Sequence, residues 1–287
     1  MKFLDIILFM FPLSLMASIP CIQHGYPEKD TLQLVCETPA DFLTPESVKY
    51  DKDNNILYVA NINGKPSEKD GNGFISKLSV EGKILQLHWV EGLNAPKGMG
   101  IFNGKLYVTD IDRLAEIDIN TGEIIRFYPA EGAQFLNDID VDEQGNVYVS
   151  DMAGNCIWRL NGQTFDKWME STEMNRPNGL FINASGLFVG CENEILRVNT
   201  ETKKIEIYAN QTGGIDGLEE IRENTFVFSD WSGHIHILSP DKTMTLVLNT
   251  ADMEIQAADI EYSADDKLIF VPTFFHNTVS VYKIIKE

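Results

Sequence analysis

Along this chain apolar and polar side chains alternate in short runs rich in Val, Ile, Tyr and Phe, broken by Gly, Asn and Asp, and helical periodicity is nearly absent. Alternation of period two marks half-buried β-strands, and Gly, Asn and Asp breaks mark the turns between them. One pattern recurs six times between Pro45 and Ile284. It reads TPESVKYDKDNNILYVAN, APKGMGIFNGKLYVTD, FLNDIDVDEQGNVYVSD, RPNGLFINASGLFVGC, GIDGLEEIRENTFVFSD and QAADIEYSADDKLIFVPT. Each copy opens a strand, turns and runs a second, and further β-rich runs such as AEIDI and IIRFY, or CIWRL and FDKWM, follow. About four strands per unit, at a repeat of roughly forty residues, describe a propeller blade. The pattern therefore predicts an all-β fold, a six-bladed β-propeller over residues 45–287.

The last unit supplies only three strands, EYS, KLIFV and TVSVYKI, whereas TLQLVCE at 31–37 lies ahead of the first unit. The expectation is that this N-terminal strand, within a lead of residues 19–44, completes the last blade. Closure of that kind removes the exposed edges that template aggregation.

In a propeller the innermost strands start on one face, and the second strands return to it. The residue before the Gly, Asp or Ser that starts each copy is Glu46, Lys97, Asn137, Asn178, Asp216 and Ala258 in turn, with spacings of 51, 40, 41, 38 and 42. These six point toward the central channel. Glu46, Asn137, Asn178 and Asp216 are hard oxygen donors, the chemistry that Ca²⁺ prefers. No His or Cys is among them, which disfavours zinc and copper.

Loops after the second strands share that face. The segment 61–73, NINGKPSEKDGNG, accounts for the one long spacing and fits either a lid over the channel or a solvated hairpin excursion. Asp110, Asp151 and Asp230 recur at equivalent strand ends, which predicts carboxylates that hold turns. Trp231, Phe274 and Phe275 fit either blade packing or the floor of an apolar pocket; Trp231 and Phe275 are thus substrate-binding candidates, joined at the rim by His276 as a proton shuttle. Lys97 brings a cation into the ring. Two roles are open to it: an electrophile that binds a carboxylate or an oxyanion, or an ion pair with Glu46 that displaces a metal.

At these motifs the sequence resembles the SMP-30/gluconolactonase/LRE-like family of calcium-dependent lactonases and, more distantly, paraoxonase and strictosidine synthase-like propellers. The resemblance covers all six units and rests on Glu46 of PES, Asn137 of NDI, Asn178 of PNGL and Asp216 of DGL. It implies that Glu46, Asn178 and Asp216 hold the metal, that Asn137 helps to bind it or the water or substrate beside it, and that Asp216 is the base. Sugar lactonases of the family carry an Arg two residues before the NDG Asn; Phe135 stands there in this chain, which points away from a substrate rich in hydroxyls.

Lys and Arg total 23 against 43 Asp and Glu, a formal charge of −20, which repels phosphate backbones and argues against nucleic acid as a partner. The leading MKFLDIILFMFPLSLMAS has the Lys, apolar stretch and terminal small residues of a signal peptide over residues 1–18, predicting an exported protein, periplasmic or secreted, with no membrane span in the mature chain. Cysteines at 21, 36, 156 and 191 show no metal spacing, and Cys21 with Cys36 could close a short loop. Nucleotide fingerprints and serine-nucleophile elbows are absent. The expectation is a monomeric Ca²⁺-dependent hydrolase of a small lactone or ester, with Asp216 and Lys97 as catalytic residues. The alternative is a ligand-binding or sensor propeller without catalysis.

Overall fold

The structure, a computed structural model, describes residues 29–286. Residues 1–18, with the expected leader, and Cys21, with its expected bridge to Cys36, lie outside them. Twenty-four strands form six four-stranded antiparallel sheets, so the six-bladed propeller is the fold. In five blades the strands follow chain order from the axis outward. Their hairpins turn where the chain supplies left-handed conformers: Asn103 and Gly104, at φ 48° and 73°, make the first hairpin of blade two, a pairing that matches strand twist.

The sixth blade is built from both ends of the described chain. The strand Asp30–Glu37 lies antiparallel on Val279–Lys286 and is the outermost of its sheet. Thr38 N donates to Val279 O (3.1 Å) and Val279 N to Thr38 Oγ1 (2.9 Å). Asp30 also pairs with Arg222 of blade five at 2.5 Å. The N-terminal strand therefore closes the ring.

The hydrophobic core is a set of six layers, each between two neighbouring sheets. Tyr107 and Leu114 of blade two pack with Val149 and Trp158 of blade three, and Phe188 and Ile195 of blade four with Phe226 and Phe228 of blade five. Val48 and Leu57 of blade one meet Phe270 and Val281 of blade six, so the seam is sealed by the same packing as every other joint. Among the described residues no helix is long and apolar enough to cross a membrane.

At the axis six inner strands converge, and the chain accommodates the crowding in two ways. In three copies the residue after the ring position is Gly. A Cβ on Gly98 would lie 2.5 Å from Asp138 Cα, one on Gly179 2.5 Å from Asp216 O, and one on Gly217 2.3 Å from Ile260 N. Elsewhere side chains stitch blade to blade, which satisfies buried N–H and C=O groups that no strand pairs. Asp138 and Asp140 accept from Leu180 N and Ile182 N of the next blade, each at 2.6 Å. Thr109 Oγ1 donates to Asn137 O (2.5 Å), and Ser229 Oγ to Ala258 O (2.7 Å). Farther along the axis, Lys49 Nζ sits 2.8 Å from Glu261 and 3.8 Å from Glu219. Burial works against that ammonium, but Glu261, Glu219 and Asp140 hold it firmly protonated.

Gly217→Ala should therefore force blades five and six apart and destabilise the protein by about 1–3 kcal/mol, whereas Gly214→Ala, whose Cβ would meet only Glu192 O at 3.9 Å, should be close to neutral. Chemical denaturation of both variants checks this; equal midpoints would remove the close-approach argument.

Candidate functional site

The strand-end carboxylates set the ring. Asp110 Oδ1 accepts from Asn94 N and Ala95 N, both at 2.9 Å, and Asp151 accepts from Gln134 N (3.0 Å) and Phe135 N (2.8 Å). Each clamps the backbone two residues ahead of a ring side chain, Lys97 or Asn137. These aspartates hold turns, as their recurrence predicts. Asn61 acts similarly in blade one, accepting from Leu43 N, three residues ahead of Glu46, at 3.0 Å. Asp230 holds its own turn, accepting from His234 N at 3.1 Å, and also meets the His234 ring, with Nδ1 at 2.9 Å.

Glu46, Lys97, Asn137, Asn178 and Asp216 are brought together as lining of one cavity of about 820 Å³. Ala258 stays beneath it, packed with Ile62, Ala95, Ile111 and Phe274. Three of the five form a relay: Asn137 Nδ2 donates to Asn178 Oδ1 at 2.6 Å, and Asn178 Nδ2 donates to Asp216 Oδ1 at 2.7 Å. Glu46 Oε2 is buried without a hydrogen-bond partner. Burial raises the Glu46 carboxyl well above its ordinary range, and the charges of Asp216 and Asp138 add to this while Lys97 opposes it. Burial also lifts Asp216 to about 7, against the Asn178 hydrogen bond.

Lys97 does not pair with Glu46. Its Nζ donates to Pro66 O and Ala95 O, both at 3.0 Å, and stands 4.5 Å from the centre of the Phe135 ring. Burial lowers its pKa to about 8, opposed by the Glu46 and Asp110 charges. The ion-pair role that the sequence left open is thus not realised, and the ammonium stays on the cavity wall. The bond to Pro66 also settles the place of the 61–73 loop. Gly64, Lys65 and Pro66 line the cavity, and Lys69 reaches Asp112 of blade two at 2.5 Å, so the loop lies over the channel.

Trp231, Phe274 and Phe275 reach the cavity, whereas His276 is exposed and outside its lining. His276 ends the short turn Phe274–His276, whose two phenylalanines take the cavity side. The structure adds lining residues that the sequence did not single out: Ile62, Met152, Arg176 and Cys191. Ile62, Met152 and Cys191 each follow the second strand of a blade and Arg176 precedes the first strand of blade four, and the repeat does not report which of these turns to the cavity. Burial pushes the Cys191 thiol up to about 12, which excludes a thiolate nucleophile at neutral pH.

Chemically, the floor presents two buried carboxylates short of compensation, two amides and one amine. Among the described residues no group of three or more His, Cys, Asp or Glu is placed to hold a metal; the oxygen set here combines two carboxylates with amides. Unpartnered Glu46 Oε2 and the raised carboxyls fit a hard cation, which would supply the charge that the site lacks.

No protein-family model matches the chain, and no curated protein matches it in sequence. Solved structures do resemble it. A streptogramin B lyase aligns at TM-score 0.66 and 14% identity, over 89% of this chain and 98% of that one. A gluconolactonase from Xanthomonas campestris aligns at TM-score 0.68 and 13% identity, over 88% and 89%. A catalytically inactive virginiamycin B lyase from Staphylococcus aureus, determined with quinupristin, aligns at TM-score 0.61 and 15% identity, over 90% and 100%. At these identities the likeness is one of fold.

The raised carboxyls give the stability a sign with pH. Burial lifts Asp138 and Asp216 to about 7 and Asp140 to about 6, whereas unfolded carboxylates titrate near ~4. Between these values the folded chain holds more protons than the unfolded one, so stability falls as pH rises. Melting temperature in chelator should drop from pH 5 to pH 7.5, where Lys97 is still largely protonated; a flat or rising profile would contradict these assignments.

Proposed function

We propose that this protein is an exported, Ca²⁺-dependent hydrolase of a lactone or related ester, acting on a small molecule in the channel mouth. One observation carries the reading: Glu46 Oε2 is buried without a partner, in a cavity shared with Asp216, Asn178 and Asn137. A buried carboxylate oxygen left unpaired is costly, and a cation is the group that would repay it. Those four residues would hold the ion. Bound there, it would polarise the ester carbonyl and steady the developing oxyanion.

Asp216 would orient and deprotonate a water. Its Oδ1 accepts from Asn178 Nδ2, which fixes the carboxylate's position. Lys97 donates to two carbonyls and lines the cavity, where its charge would meet a carboxylate or an oxyanion. The gluconolactonase likeness supports this reaction class, and the lyases among the similar structures show that the same scaffold also carries lyases. Export rests on the leader at residues 1–18, and the closed ring of blades suits a monomer.

Lys97 favours a second reading, a propeller that binds a carboxylate ligand and does not turn it over. A protein with an ammonium in its ring has a counter-ion without metal. Calorimetric titration of chelator-treated protein with Ca²⁺ separates the two. The hydrolase reading expects saturable binding of one ion, abolished in Asp216→Ala and weakened at least about tenfold in Glu46→Gln, together with Ca²⁺-dependent turnover on a lactone panel. No heat of binding in the parent protein would leave the carboxylate-binding propeller.

A further inference from the structure

Three aromatic rings stand at the mouth of the cavity. Trp231 follows the second strand of blade five, and Phe274 and Phe275 belong to the turn Phe274–His276 of blade six. All three meet edge to face: Trp231 and Phe274 at 5.4 Å and 78°, Trp231 and Phe275 at 5.8 Å and 84°, Phe274 and Phe275 at 4.8 Å and 84°. Blade packing explains Phe274, which is buried against Ile62 and Ile111. It does not explain the other two. Trp231 is 45% exposed and Phe275 64% exposed, and both line the cavity.

The backbone beneath them is held out of its ordinary range. Phe274 has φ 49° and Asn277 φ 62°, and positive φ at a bulky residue persists only where the surroundings enforce it. Here they do. Thr273 N donates to Thr278 O and Thr278 N to Thr273 Oγ1, each at 3.0 Å, and Thr44 N donates to Asn277 Oδ1 at 2.9 Å. The turn is locked in a form that carries Phe275 outward, against the tendency of a large apolar ring to bury itself.

Blade three stands across the axis from blade six, and it contributes Phe135 and Met152 to the same cavity. Carbon therefore faces the cavity from both sides above a polar floor. An apolar ring placed against that carbon would leave water together with it, which favours an apolar group on the ligand. A flat ring would meet aromatic edges and a thioether, both favourable contacts.

We propose that Trp231 and Phe275 form a subsite for an aryl group, so that the protein takes aryl-bearing lactones or esters. The inference rests on the hydrolase reading only for the nature of the reacting carbonyl; the aryl subsite is argued from the rim.

Two probes test it: α-phenyl-γ-butyrolactone and γ-butyrolactone, which share the reactive ring and differ by the phenyl group. Their dissociation constants are measured by calorimetry in Ca²⁺, and hydrolysis of each is followed by acid release. The phenyl probe should bind at least about tenfold more tightly. That preference should shrink below about threefold in Phe275→Ala and in Trp231→Ala, with melting temperatures near that of the parent because both side chains are exposed. Equal affinities, no binding of either probe, or a preference that survives both substitutions would overturn the subsite. A phenyl preference without hydrolysis would uphold the subsite and reject the hydrolase, and hydrolysis of both probes with equal affinity would do the reverse.

Discussion

Everything in this molecule depends on fitting six strands side by side around one narrow axis. At that radius neighbouring backbones come closer than side chains allow, and the strands do not pair with one another as a sheet. The residues after the ring positions answer the first problem: Gly98, Gly179 and Gly217 lie where a Cβ would meet the next blade's backbone. Side-chain oxygens answer the second. Asp138 and Asp140 take the N–H groups of Leu180 and Ile182, and Thr109 and Ser229 give hydrogen bonds to the carbonyls of the next blade. The hydrophobic layers farther out then hold what the axis permits.

The same crowding perturbs the ionisable groups of the site. Ring side chains that must point into a closed channel lose water, and their neutral forms gain at the expense of the charged ones. Glu46, Asp216 and Lys97 all shift in that direction. A surface with a large negative charge has no difficulty ionising its carboxylates, because each is solvated; the buried few are different. Farther down the channel Lys49 supplies a charge to Glu261 and Glu219. Fold geometry and site chemistry thus have one cause.

Floor and rim differ in how they are made. The floor comes from equivalent positions of the repeat, so its residues share a height and a direction. The rim comes from loops, each with its own conformation: the 61–73 segment tied down by Lys97 and Lys69, the loop that brings Arg176 near Met152, and the locked turn at Phe274. A propeller that keeps its floor and changes its rim keeps its chemistry and changes its ligand.

The six-bladed ring, its closing strand and the inward residues Glu46, Lys97, Asn137, Asn178 and Asp216 were legible in the sequence. A repeat writes the same local instruction six times, and period-two alternation specifies which side chains point which way. Asp110 and Asp151 were legible as turn holders for the same reason. What Lys97 does was not legible, because its partners are the carbonyls of Pro66 and Ala95, and one of those belongs to a loop thirty-one residues away. His276 read as a rim group, and the structure leaves it outside the cavity. Adjacent residues in a tight turn face different ways, and no period reports which. Met152, Arg176 and the exposure of Trp231 and Phe275 likewise depend on how loops from separate blades meet. Local alternation and repetition determined the wheel and its hub; only the tertiary structure decided the partners, charge balance and aromatic mouth of the cavity, because those arise between segments that the chain keeps far apart.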